Sequence, residues 1–159
     1  EKIFNYVSAL RGDVDFSHSY YPDANLSGKV SSKSAKRSEE YNLDITTELV
    51  NGKVILETLL NKEELSGIQF VIQYDDEILQ FDSVEFDTGS EMLNFATPKD
   101  NKIFFGSIDS AGQQEVKTGV PYKLIFTPKQ TITNTSGLIY FNIADAIKQD
   151  GTKVILKVQ

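Results

Sequence analysis

Asp13-Val-Asp15-Phe-Ser17 sets three oxygen-bearing side chains at alternating positions, the spacing at which a calcium loop offers its first, third and fifth ligands. A complete loop of that kind adds glycine at position six and a carboxylate at position twelve. Here those positions are His18 and Ala24. Asp23 is near enough to add a ligand, so Asp13, Asp15, Ser17 and Asp23 form a candidate irregular calcium site, with a plain polar loop as the alternative. Asp75-Asp76-Glu77 could in principle supply the acid and base of glycoside hydrolysis. Adjacent residues at a strand end point in different directions, however, so this run reads as a solvated turn. His18 is the sole histidine and there is no cysteine. A serine triad would therefore rest on a serine-rich segment rather than a rigid sheet, and cysteine nucleophiles and thiolate metal sites are excluded. Gly106 and Gly112 stand alone, with no phosphate loop around them. No enzymatic chemistry is expected.

Binding chemistry is better represented. Sugars dock on exposed planar rings, and without tryptophan the adjacent Tyr20 and Tyr21 are the expected exposed pair. Tyr74, Tyr122 and Tyr140 fall on strands, where burial is expected. Asn25-Leu-Ser27 and Asn134-Thr-Ser136 match glycosylation acceptors. A net charge of -7 argues against nucleic acid, whose phosphates need a basic stripe. The basic cluster Lys29, Lys33, Lys36 and Arg37 lies among serines and reads as solvated linker. No apolar run approaches the ~18 residues of a membrane helix, so no membrane insertion is expected.

The elements that must position these residues are strands. Leu43, Ile45, Thr47 and Leu49 alternate with polar residues, and Asn51-Gly52 then favours a tight hairpin into about 53–60. Further strands are expected at about 68–75, 78–87, 92–97, 102–108, 120–126, 138–143 and 152–158, separated by turn signals. The strand at 68–75 is expected to open after Gly67, and residues 109–119 to form a polar loop. Phe70, Ile72, Leu79, Phe81, Leu124 and Phe126 are the expected inter-sheet core. With 159 residues and 40% hydrophobic content, the chain suits one domain with a real core. Residues 1–40 alternate poorly and are rich in serine. They read as an extension or linker that adds at most one strand and contributes less stability than the sandwich at 41–159. Glu1-Lys-Ile-Phe-Asn-Tyr has the features of neither a signal peptide nor an initiator segment, as expected of a piece of a longer chain.

One ordered series is more specific. Leu65-Ser-Gly-Ile-Gln-Phe-Val-Ile-Gln-Tyr-Asp75 ends a strand on Tyr-Asp, and Ile78-Leu79 restarts the next. Pro98-Lys-Asp-Asn-Lys-Ile-Phe-Phe-Gly-Ser-Ile-Asp-Ser-Ala-Gly112, Gly119-Val-Pro-Tyr-Lys-Leu-Ile-Phe-Thr127 and Ile139-Tyr-Phe-Asn-Ile-Ala-Asp-Ala146 follow in order. Over roughly 41–159 this resembles the cohesin and cellulose-binding-module group of β-sandwiches. The chain departs from the family's pattern in its N-terminal extension and in Asp76-Glu77, where members often carry Asp-Pro. The resemblance implies an all-β, nine-stranded antiparallel sandwich of jelly-roll type, with one sheet face binding dockerin, a calcium-loaded helical protein, or polysaccharide in related modules. By position, the outward residues of the strands near 68–75, 92–97, 102–108 and 138–144 would make that contact, with Gln69, Gln73, Asn94, Lys102 and Phe104 as candidates.

The expected function is adhesion or assembly within a larger extracellular, cell-surface or virion protein. The partner would be dockerin-like or a neighbouring structural subunit. The alternatives are a carbohydrate-binding module and a structural spacer of a fibre or capsid.

Overall fold

The computed structural model describes residues 38–62, 64–111 and 113–159. These form nine strands: β1 (Glu39–Val50), β2 (Lys53–Leu60), β3 (Leu65–Tyr74), β4 (Leu79–Phe86), β5 (Met92–Lys99), β6 (Lys102–Asp109), β7 (Gly119–Pro128), β8 (Ile139–Lys148) and β9 (Lys153–Val158). No helix among the described residues is long and apolar enough to cross a membrane.

Hydrogen bonding runs β4-β7-β2-β1-β9-β8-β3-β6-β5, and the array folds into two layers at β1. The first half of β1, Glu39–Leu43, pairs with β9. Its second half, Asp44–Val50, pairs with β2. The end of β9 fixes the crossing, with Gln159 N donating to Leu43 O at 2.9 Å and Ile45 N donating to Gln159 O at 3.2 Å. Asn51 and Gly52 both take positive φ, as the two-residue turn requires. The sequence leads one to expect antiparallel pairing throughout, and the sandwich conforms except that β1 and β9 run parallel. No turn links these two strands, so local chemistry places no constraint on their relative direction.

The core lies between the layers. Phe70, Ile72, Leu79, Leu124 and Phe126 are fully buried, and Phe81 packs half-buried against them. Rings bridge the two sheets: Phe70 meets Tyr122 edge-on at 5.3 Å, Phe105 meets Tyr122 at 5.6 Å, and Tyr74 meets Phe126 at 5.4 Å. Such pairs add to their burial about 0.5–1.5 kcal/mol each. Burial holds the Tyr122 phenol well above its ordinary range.

Two local expectations change. Gly67 lies inside β3 instead of before it, and the register of β3 against β8 slips between Leu65 and Gly67. A Cβ at Gly67 would meet Ile147 Cγ2 at 3.1 Å, so the glycine serves close approach within a bulged strand. The loop after β6 is polar, yet it buries Val116, whose N donates to Leu65 O at 2.7 Å. Asp109 organises this loop by accepting from the amides of Ala111 at 2.9 Å, Gln113, and Gln114 at 2.5 Å.

The start of β1 is held by charge as well as by backbone. Lys148 Nζ lies 2.7 Å from Glu39 Oε2 and 3.1 Å from Glu64 Oε2, and the Tyr41 hydroxyl donates to Glu39 Oε2 at 3.1 Å. Lys62 Nζ sits 4.1 Å from the centre of the Tyr41 ring. The bonds from Lys148 and Tyr41 lower the Glu39 carboxyl below its ordinary 4.5. A carboxyl depressed by folding contributes stability above its unfolded value, and that contribution fades as pH falls through the folded one.

Truncating Phe126 to Ala is expected to cost about 3–5 kcal/mol in urea unfolding, since the site is fully buried between the sheets. A loss below about 1 kcal/mol would mean that the inward face has been misassigned. For the clamp on β1, Glu39→Gln should narrow the loss of stability between neutral pH and pH ~3 relative to the native chain. Parallel acid titrations with equal losses would show that the Glu39 pairing contributes nothing.

Candidate functional site

Alternation along a strand sends successive side chains to opposite faces. In β3, Ile68, Phe70 and Ile72 enter the core, so Gln69, Val71 and Gln73 point outward. In β6, Ile103 and Phe105 are buried inward, so Lys102, Phe104 and Ile108 point outward. Register then assembles rows across the outer face. Thr97 of β5, Phe104, Val71 and Ile143 of β8 lie side by side. One row away stand Lys99, Lys102, Gln73 and Tyr140. In the other direction come Phe95, Gly106, Gln69, Asp145 and Ile155 of β9.

This outer face is apolar at its centre. Val71 is only 5% exposed yet lies outside the inter-sheet core, flanked in register by Phe104 and Ile143. Around it Leu93, Ile143, Ile155 and Tyr140 are exposed, Tyr140 by 57%. Burial was expected of Tyr140. It points outward because its neighbours Ile139 and Phe141 are the ones that pack against the core. A bulge contributes as well. Val71 pairs with Ile143 but Ile72 pairs with Phe141, leaving Asn142 as the extra residue. Asn142 Nδ2 donates to Gln73 Oε1 at 3.4 Å, so the bulge turns an amide onto the face.

Gly106 shapes the face from within. A Cβ there would lie 2.1 Å from Ile68 O and 3.0 Å from the tip of the Phe95 ring. The missing side chain therefore lets β6 approach β3 closely and lets Phe95 of the edge strand lie over the gap.

The opposite outer face, on β2, β7 and β4, carries cross-strand ion pairs beside Ile55 and Ile125, which pair in register, and an exposed Leu59. Lys53 Nζ lies 2.8 Å from Asp82 Oδ2, the Thr127 hydroxyl donates to the same oxygen at 2.7 Å, and Lys123 lies 3.1 Å from Glu57 Oε1. Burial raises the Asp82 carboxyl, but the bonds from Lys53 and Thr127 outweigh it and leave it below its ordinary range. A shallow depression of about 260 Å³ on this side is lined by Glu57, Glu85, Phe86, Asp87, Val120 and Lys123.

Of the candidates drawn from sequence, Gln69, Gln73, Lys102 and Phe104 are brought together on the apolar face. Asn94 does not join them. It lies on the inward side of β5 with Met92, and its Oδ1 accepts from Thr88 at 2.7 Å and Ser107 at 2.6 Å. Asp13, Asp15, Ser17 and Asp23, and the Tyr20–Tyr21 pair, lie outside the described residues. Among the described residues no group of three or more His, Asp or Glu could hold a metal. Asp75 of the acidic run caps its own turn, its Oδ1 accepting from the amides of Glu77 at 3.1 Å and Ile78 at 3.3 Å. Sequence reasoning missed Val71, Ile143 and Tyr140. The signal for Val71 was present, because β3 is apolar at both parities from Ile68 to Ile72.

The family model of the cohesin domain matches residues 46–158. The chain belongs to the cohesin family. Solved cohesins share its fold at low identity. The sixth cohesin of Acetivibrio cellulolyticus scaffoldin B, solved with a mutant Cel5 dockerin, is 21% identical with a TM-score of 0.60, covering 74% of this chain and 93% of its own. The type II cohesin A11 of Bacteroides cellulosolvens is 18% identical with a TM-score of 0.57, covering 75% and 95%. A non-cellulosomal cohesin of the archaeon Archaeoglobus fulgidus is 15% identical with a TM-score of 0.52, covering 76% and 81%. No curated protein matches the chain. Cohesin domains are non-catalytic binding modules.

Gly106→Ala is expected to destabilise this cohesin by about 1–3 kcal/mol, because the added methyl meets backbone and not a mobile side-chain end. Hydrogen exchange should show the loosening concentrated in β5 and β6. Unchanged unfolding and exchange would refute the close approach.

Proposed function

We propose that this chain is a non-catalytic assembly module whose β8-β3-β6-β5 face docks a dockerin-like protein partner, within a larger extracellular or cell-surface protein. The observation that carries the reading is the apolar set on that face, Leu93, Phe104, Val71, Ile143 and Tyr140, standing outside the core. Exposed apolar residues gathered on one face favour a partner that removes them from water. The rim of Gln69, Gln73 and Asn142 supplies amides that can donate or accept, which suits orientation and specificity. The other outer face shows Ile55, Ile125 and Leu59, but its lysines Lys53 and Lys123 already meet Asp82 and Glu57, leaving fewer exposed apolar side chains and, among the described residues, no unpaired lysine beside them. An edge-to-centre strip of this kind fits a helix laid across the strands, its apolar stripe on Phe104 and Ile143.

Calorimetry with the dockerin modules encoded in the same genome provides the test. At least one should bind, and Ile143→Asp or Phe104→Ala should each weaken it by about 30-fold or more, the loss expected of a central anchor. Both variants should keep the native unfolding midpoint within about 5 °C, because neither side chain belongs to the core. Binding that survives both changes but is lost with Lys123→Glu would move the site to the opposite face.

A further inference from the structure

Among the described residues the sandwich carries ten lysines, and eight have a partner. Lys53, Lys117, Lys123, Lys148, Lys153 and Lys157 face carboxylates. Lys62 lies over the Tyr41 ring and Lys129 donates to the Asp76 carbonyl. The two without an ion pair, hydrogen bond or ring contact are Lys99 and Lys102. They face each other across the two-residue turn of the β5–β6 hairpin. Asp100, in the turn between them, is ion-paired with neither; its carbonyl instead accepts from the Tyr74 hydroxyl at 3.5 Å.

Like charges directly opposed on a sheet destabilise it. Here the pair sits in the row of Gln73 and Tyr140, one row from the apolar centre formed by Phe104, Val71 and Ile143. The chain as a whole is acidic, with 23 Asp and Glu against 16 Lys and Arg. A concentrated, unneutralised positive corner beside the apolar strip is thus the feature of this face with the clearest charge complement.

We infer that the protein partner of this face brings acidic side chains to Lys99 and Lys102, which fixes the direction in which its helix lies across the strands. The inference rests on the assignment of the β8-β3-β6-β5 face as the docking surface. Charge at the rim of an apolar contact sets approach rate, orientation and salt dependence more than total affinity. The partner helix therefore has its acidic end at the β5–β6 turn and its apolar stripe running toward Ile143 and Ile155.

The probes are two stapled amphipathic helical peptides with the same leucine stripe, one ending in three glutamates and the other in three lysines. Both are titrated into the full chain and followed by amide chemical shifts. The acidic peptide should perturb Lys99, Lys102 and Tyr140 together with Val71, Phe104 and Ile143. It should bind about five-fold tighter than the basic one at low salt, as expected for two exposed ion pairs. That preference should shrink when salt is raised to about 0.5 M. In Lys99→Ala/Lys102→Ala it should vanish, while perturbation of Val71, Phe104 and Ile143 persists. Equal binding of the two peptides on this face would overturn the charge assignment and leave the docking face standing. Perturbation confined to other surfaces, or none at all, would overturn both.

Discussion

The structure depends on one contact region, the ring cluster that joins the two sheets. Phe70 stacks on Phe105 at 4.9 Å, and both present edges to Tyr122 from the opposite layer. Tyr122 also meets Phe86, and Phe126 meets Phe81 and Tyr74, so the rings continue across the sandwich. Every one of these strands is fixed by which of its faces meets the cluster. A one-residue slip in β3 would send Phe70 to solvent and Gln69 into the core, so the cluster sets register as well as stability.

The composition of the outer surfaces follows from that register. Once Ile68, Phe70 and Ile72 point inward, Val71 must point outward. An apolar residue there is retained only if its own face covers it, which Phe104 and Ile143 begin to do. The two outer surfaces thus differ in kind. On β2, β7 and β4, opposite charges stand within ion-pair distance across strands. On β8, β3, β6 and β5, apolar side chains meet amides and an unpaired lysine corner. The second surface carries more of the exposed apolar side chains, Leu93, Tyr140, Ile143 and Ile155, which is why it is the one proposed as the docking face.

The bulge at Asn142 and the glycine at 106 are the local devices that make the second surface possible. The bulge places two consecutive β8 residues toward the same side. The glycine draws β6 against β3 and gives Phe95 a seat at the sheet edge. The bulge gives up regular pairing and the glycine gives up a side chain, and both occur on the face carrying the exposed apolar residues.

The sequence by itself determined the strands, most turns and the inward set. Alternation at Leu124 and Phe126 and the Asn51-Gly52 dipeptide act over a few residues, so they are legible without knowing what lies across the sheet. It also placed Gln69, Gln73, Lys102 and Phe104 on strands that meet. Tertiary structure decided the rest. The parallel pairing of β1 with β9 joins the two layers of the sandwich, and no turn between them sets its direction. Asn94 shares the side of β5 that carries buried Met92, and there it accepts from Thr88 and Ser107. Tyr140 and Ile143 became surface residues because a bulge, which depends on the partner strand, shifted the parity of β8. Local periodicity assigns side chains to two faces, but only the packed sandwich determines which face meets water and which positions a bulge reassigns.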